Sequence, residues 1–218
     1  MPKLVYSERQ QRARWEEATD RELITALQAG EETALDELVR RKTKPLLQAV
    51  YRILGDMEEA RDVVQMTFVR VWQKRDQFDQ HWSPNTWIFR IATNLGIDQL
   101  RSRKTRERTQ EPMRKHLRQV VDGRGQREHS KLQQKEVMRI FTELASELSE
   151  RQRAVFVLRE IEGLSSQQVA EAVGCRESTV RNHLFNARKV LRREVLQRYP
   201  EYAGANARTD LEEWGAPR

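Results

Sequence analysis

With one cysteine among 218 residues, the chain has no internal disulfide, and its four scattered histidines form no metal-ligand cluster with it. No run of about 18 apolar residues occurs, so nothing reads as a membrane span. The N-terminus lacks the apolar stretch of a signal peptide, which predicts a cytoplasmic protein. No glycine-rich phosphate loop, no carboxylate cluster at metal spacing and no nucleophile–base pair is visible. These absences argue against an enzyme and predict no cofactor. No segment alternates with period two, so strands are not expected. Cys175 sits at a turn and reads as a buried structural thiol.

What is present is charge. Apolar residues make up 38% of the chain and charged ones 33%, with a mean hydropathy of −0.84. That balance suits small helical cores with large charged surfaces. The net charge of +7 is unevenly placed. Residues 101–135 hold 12 Lys/Arg against 4 Asp/Glu, a net of +8, and residues 176–198 hold 7 against 2, a net of +5, leaving −6 for everything else. Two concentrated basic stretches are the footprint of a polyanion contact.

The second basic stretch follows a recognisable motif. Leu164–Leu184 reads as a short helix, a tight turn at Gly174 and a second helix, which is a helix-turn-helix. Ser165 and Gln168 form a capping box, with Leu164 and Val169 at the flanking staple positions. Val180, Leu184, Ala187, Leu191 and Val195 recur at steps of three and four and face inward. Arg181, Asn182, Phe185 and Arg188 are left on other faces.

The rest of the chain is helical by pattern. Thr19–Glu22 is a capping box whose helix ends near Gly30. A longer helix spans about Thr33 to Leu54, interrupted or kinked near Pro45. Asp56–Glu59 is a further capping box; behind it Ala60, Val63, Val64, Thr67, Phe68, Val71 and Trp72 repeat at helical spacing through Lys74. A polar loop runs from Arg75 to Trp82. Ser83 then caps a helix with Pro84 at its first position, with Trp87, Ile88, Ile91 and Leu95 inward. Periodicity fades between about Lys104 and His129 and returns from Leu132 through Leu148. Ser149 caps the next helix with Gln152 as box partner.

The expected architecture is all-α: two small helical domains joined by a basic flexible linker. Residues 1–18 form a flexible extension, 19–104 the first domain, 105–131 the linker, 132–198 the helix-turn-helix domain and 199–218 a tail carrying Trp214.

Leu54-Gly55-Asp56 with Ala60–Trp72, then Phe78 with Trp87–Asn94 and Asp98, then Leu148–Phe156, the helix-turn-helix and Ala187-Arg188 before Leu191 together resemble the bacterial RNA polymerase sigma factors of the compact extracytoplasmic-function type. The resemblance covers roughly residues 19–104, as sigma region 2, and 132–198, as sigma region 4. It implies core RNA polymerase (β′ clamp and β flap) and promoter DNA as partners, an anti-sigma factor as a further one, and a monomer when free.

The resemblance also implies three sets of residues. Arg181, Asn182 and Phe185 are expected at base edges of a minus-35 element, Phe185 against a thymine methyl, with Arg176, Thr179 and Arg188 toward phosphates and Ser178 in the same DNA-binding set. His81, Trp82, Asn85, Arg90, Asn94, Arg101, Arg103 and Lys104 supply the stacking, polar and cationic groups that a separated minus-10 strand needs, with Asn94 as the main pocket residue. Asp62, Gln65, Met66, Val69 and Gln73 form the polymerase-facing line. Arg61 and Met66 depart from the family, which usually carries acids there; phosphorylation of Thr67 would restore negative charge. Asn186 and His183 replace residues that are often Arg. The competing reading is a conventional helix-turn-helix regulator with a sensory or dimerising N-terminal domain.

Overall fold

The computed structural model describes residues 14–109 and 129–202, all helix, turn and loop. The expected linker centre and most of the tail, Trp214 included, lie outside the described residues. So do residues 1–13 of the N-terminal extension.

Four helices make up the first half: α1 (Asp20–Gln28), α2 (Thr33–Leu54), α3 (Met57–Gln73) and α4 (Pro84–Thr109). Thr19 caps α1 in a reciprocal box with Glu22. Of the interruption or kink expected near Pro45, the interruption does not occur: the long helix α2 runs on through it. Proline there removes one N–H from the ladder, but Leu46, Ala49, Val50, Ile53 and Leu54 behind it are all buried and hold the last turns in place. Asp56 caps α3 alone, accepting from the N–H groups of Glu58 and Glu59. The expected reciprocal partner Glu59 is drawn away to Arg103. Ser83 Oγ accepts from the Thr86 N–H at 3.0 Å, and Pro84 opens α4 as expected.

The second half contains α5 (His129–Leu144), α6 (Glu150–Phe156), a π-helical turn (Val157–Ile161), α7 (Ser166–Val173) and α8 (Glu177–Arg198). Ser149–Gln152 and Ser165–Gln168 are both reciprocal capping boxes. Gly174 ends α7 in the left-handed region, at φ 69°, which glycine adopts without strain. Along α8, Val180, Ala187 and Leu191 are buried and Leu184 and Val195 half-buried, which is the expected inward stripe.

One placement differs from the sequence reading, and one adds to it. Residues 14–18 are anchored rather than loose: Trp15 is only 4% exposed, and its Nε1 donates to Thr33 Oγ1 at 3.0 Å. Arg41 completes the anchor by donating to the carbonyl oxygens of Trp15, Glu16 and Ala18. The two halves also pack against each other, with α7 and α6 lying on α4 and one apolar core running through both. Accordingly α4 is buried beyond its expected stripe: Thr86, Trp87, Ile88 and Phe89 are buried in succession, as in a helix covered on several sides.

Candidate nucleic-acid and polymerase interfaces

The recognition helix α8 presents one open stripe. Arg176, Ser178, Arg181, Asn182 and Arg188 are exposed, Thr179 is half-buried, and Phe185 is 41% exposed. Asn182 Oδ1 accepts from Asn186 Nδ2 at 3.1 Å, which orients its amide. Arg188 is already engaged, its guanidinium 2.8 Å from the Glu160 carboxylate.

Charge partners sort the basic stretch further. Arg193 pairs with Glu194, and Arg198 with Glu143, Glu147 and Glu194. Arg176, Arg181 and Lys189 have no acidic partner among the described residues. Lys189 is absent from the sequence-based set. It lies seven residues after Asn182, hence on the same face, and that spacing was the available signal. His183 is half-buried; burial, then Arg151, lowers its pKa, favouring the neutral ring. Cys175 is also half-buried, and burial raises its thiol pKa.

The strand-binding candidates fall into three groups. Trp82, Arg90 and Asn85 gather where the Arg75–Ser83 loop enters α4: the Arg90 guanidinium lies 4.8 Å from the Trp82 ring centre. Asn85 Oδ1 accepts from Lys42 Nζ at 3.2 Å. Arg21, which no sequence pattern singles out, braces this loop by donating to the carbonyl oxygens of Gln80 and Trp82. Gln28 Nε2 does the same at Arg75 and Phe78. His81 projects from the loop, with Nδ1 2.7 Å from Asp79 Oδ1. The His81 backbone N–H, ahead of its ring, holds the Asp79 carboxyl below the usual range.

Asn94 forms the second group, one turn beyond Arg90 and exposed. Arg101, which pairs loosely with Asp98 at 3.4 Å, lies two turns further on the same face. Arg103 and Lys104 make the third group and are held elsewhere. Arg103 bonds Glu59 and the Leu54 carbonyl, fastening α4 to the start of α3. Lys104 Nζ lies 3.1 Å from Glu150 Oε1 on α6.

On α3, Asp62, Gln65, Met66, Val69 and Gln73 are all exposed along one line, Met66 and Val69 each at 45%. The opposite face, Ala60, Val63, Val64, Thr67, Phe68 and Val71, is buried. Thr67 is 0% exposed and donates from Oγ1 to the Val63 carbonyl at 2.7 Å. That burial fits its place on the inward stripe, and the alternative of phosphorylation has no accessible target in the folded protein. Arg61, where an acid was expected, pairs with Glu58 one turn back.

Among the described residues no helix is long and apolar enough to cross a membrane, and no three His, Cys, Asp or Glu residues gather as metal ligands. The arrangement leaves cations, an amide and a phenyl ring open on α8, an indole–guanidinium contact and an open amide at α4, and a line with two exposed apolar side chains on α3.

Comparisons with known proteins divide the chain into the same two halves. The family model for sigma-70 region 2 matches residues 38–106, and that for sigma-70 region 4 matches residues 138–191. The chain is 28% identical over 178 residues to the ECF RNA polymerase sigma factor SigW of Bacillus subtilis, covering 79% of this chain and 94% of that one. It is 27% identical over 189 residues to the ECF RNA polymerase sigma-E factor of Haemophilus influenzae, covering 83% and 97%. The solved structure of CnrH in complex with the cytosolic domain of CnrY is similar, with a TM-score of 0.60, 25% identity and coverage of 82% and 98%. The fold also matches the sigma factor RpoE solved with the anti-sigma factor NepR from Bartonella quintana, at a TM-score of 0.58, 23% identity and coverage of 75% and 97%. With both sigma regions present in order and their surfaces laid out as above, the chain belongs to the sigma-70 family, as an extracytoplasmic-function sigma factor that associates with core RNA polymerase and directs promoter recognition and transcription initiation.

Proposed function

We propose that the protein divides promoter recognition between α8 and α4 and carries no catalytic group of its own, working in the cytoplasm as a subunit of the polymerase. Arg181, Asn182 and Phe185 read base edges of the duplex minus-35 element. Arg176, Ser178, Thr179 and Lys189 contact its phosphates, with Arg188 joining them when it leaves Glu160. Asn94 receives a base drawn from the melted minus-10 strand, beside the Trp82–Arg90 stack, with His81, Asn85 and Arg101 along the strand. Arg103 positions α4 rather than contacting DNA. Asp62, Gln65, Met66, Val69 and Gln73 dock on the β′ clamp, and the helix-turn-helix domain on the β flap.

The observation that carries this reading is the coexistence of an open amide at Asn94 and an open base-reading stripe on α8, on separate helices. An anti-sigma factor is a further partner: CnrH was solved with the cytosolic domain of CnrY, and RpoE with NepR. Run-off transcription with core polymerase tests the assignment. Wild-type protein directs initiation from a subset of a genomic promoter pool, and no initiation from any of them overturns it.

A further inference from the structure

Asn182 and Asn186 stand one above the other on the same face of α8, Asn182 exposed and Asn186 half-buried. Their amides are joined, Asn186 Nδ2 donating to Asn182 Oδ1 at 3.1 Å. Neither side chain has another hydrogen-bond partner among the described residues. Each asparagine carries two N–H donors and an oxygen with two lone pairs, so one shared bond leaves most of that capacity unused. No charged group satisfies either amide ahead of a ligand. Asn186 lies outside the set that the sequence places at base edges.

The shared bond makes two identical residues chemically unequal. Asn182 has its oxygen engaged and keeps both N–H groups, so it meets a base chiefly as a donor. Asn186 gives one N–H to Asn182 and keeps the other beside a free oxygen. That remainder is the donor–acceptor fork that pairs with N7 and the N6 amino group of adenine in the major groove. A donor alone suits O6 and N7 of guanine or O4 of thymine, and cytosine offers it only another donor. Four residues of α-helix rise about 6 Å, close to two duplex steps of roughly 3.4 Å each. The two amides therefore reach different base pairs.

We infer that Asn186 is a specificity-determining residue for the minus-35 element, reading one adenine through a bidentate pair, on the basis that α8 is the helix that reads that duplex. Asn182 has two parts. It tethers the Asn186 amide in the orientation that leaves the fork free, and it reads a guanine or thymine on a nearby base pair. Arg181 and Phe185 keep the contacts assigned to them above, and the amide pair adds the adenine.

The test uses full-length protein bound to core polymerase and a promoter from which wild-type protein initiates, with its minus-35 region randomised. Bound sequences are counted against the input, so each variant is read as a base preference at each position, whatever its overall affinity. Wild-type protein enriches adenine at one position by roughly tenfold over the other bases. N186A flattens that position. N182A removes a guanine or thymine preference nearby and also lowers the adenine enrichment several-fold, because Asn186 loses its tether. N182D, whose carboxylate still accepts from Asn186, keeps the adenine enrichment without the nearby preference. The inference is overturned if no adenine preference depends on Asn186, if N182A enriches adenine as wild type does, or if N182D loses it as N182A does. The pair is then only a staple along α8. R181A separates this from the assignment beneath it. If R181A shifts minus-35 preferences and N186A does not, the amide pair alone fails; if neither shifts any, α8 is not the reading helix.

Discussion

Arg41 Nη2 donates to the main-chain carbonyl of Trp15 at 2.7 Å, and this bond, with those to Glu16 and Ala18, joins the segment before α1 to the middle of α2. The indole it secures is nearly inaccessible. Trp15→Ala therefore removes a core side chain, and chemical denaturation should show about 3–5 kcal/mol of lost stability.

Glu37 orients that arginine. Its carboxylate accepts from Arg40 and Arg41, and the Arg40 guanidinium, ahead of Arg41, holds its pKa near 2 against burial that raises it. A carboxyl whose pKa is depressed on folding contributes stability above its unfolded value, near 4.5, and loses it as pH falls toward 2. Thermal unfolding of wild-type protein should weaken progressively between those values, and Glu37→Gln should show a shallower decline over the same range.

Thr67 gives a sharp contrast between two substitutions. Thr67→Val retains shape at a fully buried site and replaces a hydroxyl bonded only to the Val63 carbonyl within its own helix. It should cost no more than about 1–2 kcal/mol. Thr67→Glu forces a carboxylate into the core beneath α3 and should destabilise by several kcal/mol, without any gain in affinity for core polymerase. A gain in affinity with folding intact would revive the regulatory role for this residue.

On the opposite side of α3, Met66→Lys and Val69→Asp alter exposed side chains. Their effect on stability should stay within about 0.5 kcal/mol, while pull-down of core polymerase should fall markedly. Unchanged capture by both variants would move the docking line elsewhere.

Asn94→Ala and Arg181→Ala should fail at different steps. Loss of Arg181 should weaken binding of the polymerase complex to duplex minus-35 DNA by roughly 1–3 kcal/mol. Loss of Asn94 should spare that binding and reduce permanganate reactivity of thymines in the minus-10 region. The reverse pattern would exchange the two assignments.

Local patterns carried most of the architecture. The reciprocal caps at Thr19, Ser149 and Ser165, the glycine turn at Gly174 and the apolar stripes of α3 and α8 follow from spacing alone, because each depends on residues within two turns of one another. The exposed lines on α3 and α8 were legible as the complements of those stripes. Long charged side chains were not. Glu59 serves Arg103 instead of its own helix end, Arg188 serves Glu160, and Lys104 serves Glu150. Their partners are chosen by tertiary approach across tens of residues, which periodicity does not encode. Trp15 was missed for the same reason: a single tryptophan in a polar segment has no period, and only its cavity beside Thr33 reveals its use.

Gly55 gives the chain a requirement that no charge substitution can imitate. At φ 74° it ends α2 with a left-handed turn, and it is also where the side chains of Thr142 and Arg153 rest on bare backbone. Adding even one methyl group would strain the turn and require both side chains to shift by a few tenths of an ångström. Gly55→Ala should therefore lower stability through the strained left-handed turn, read by chemical denaturation, even with every ion pair still available.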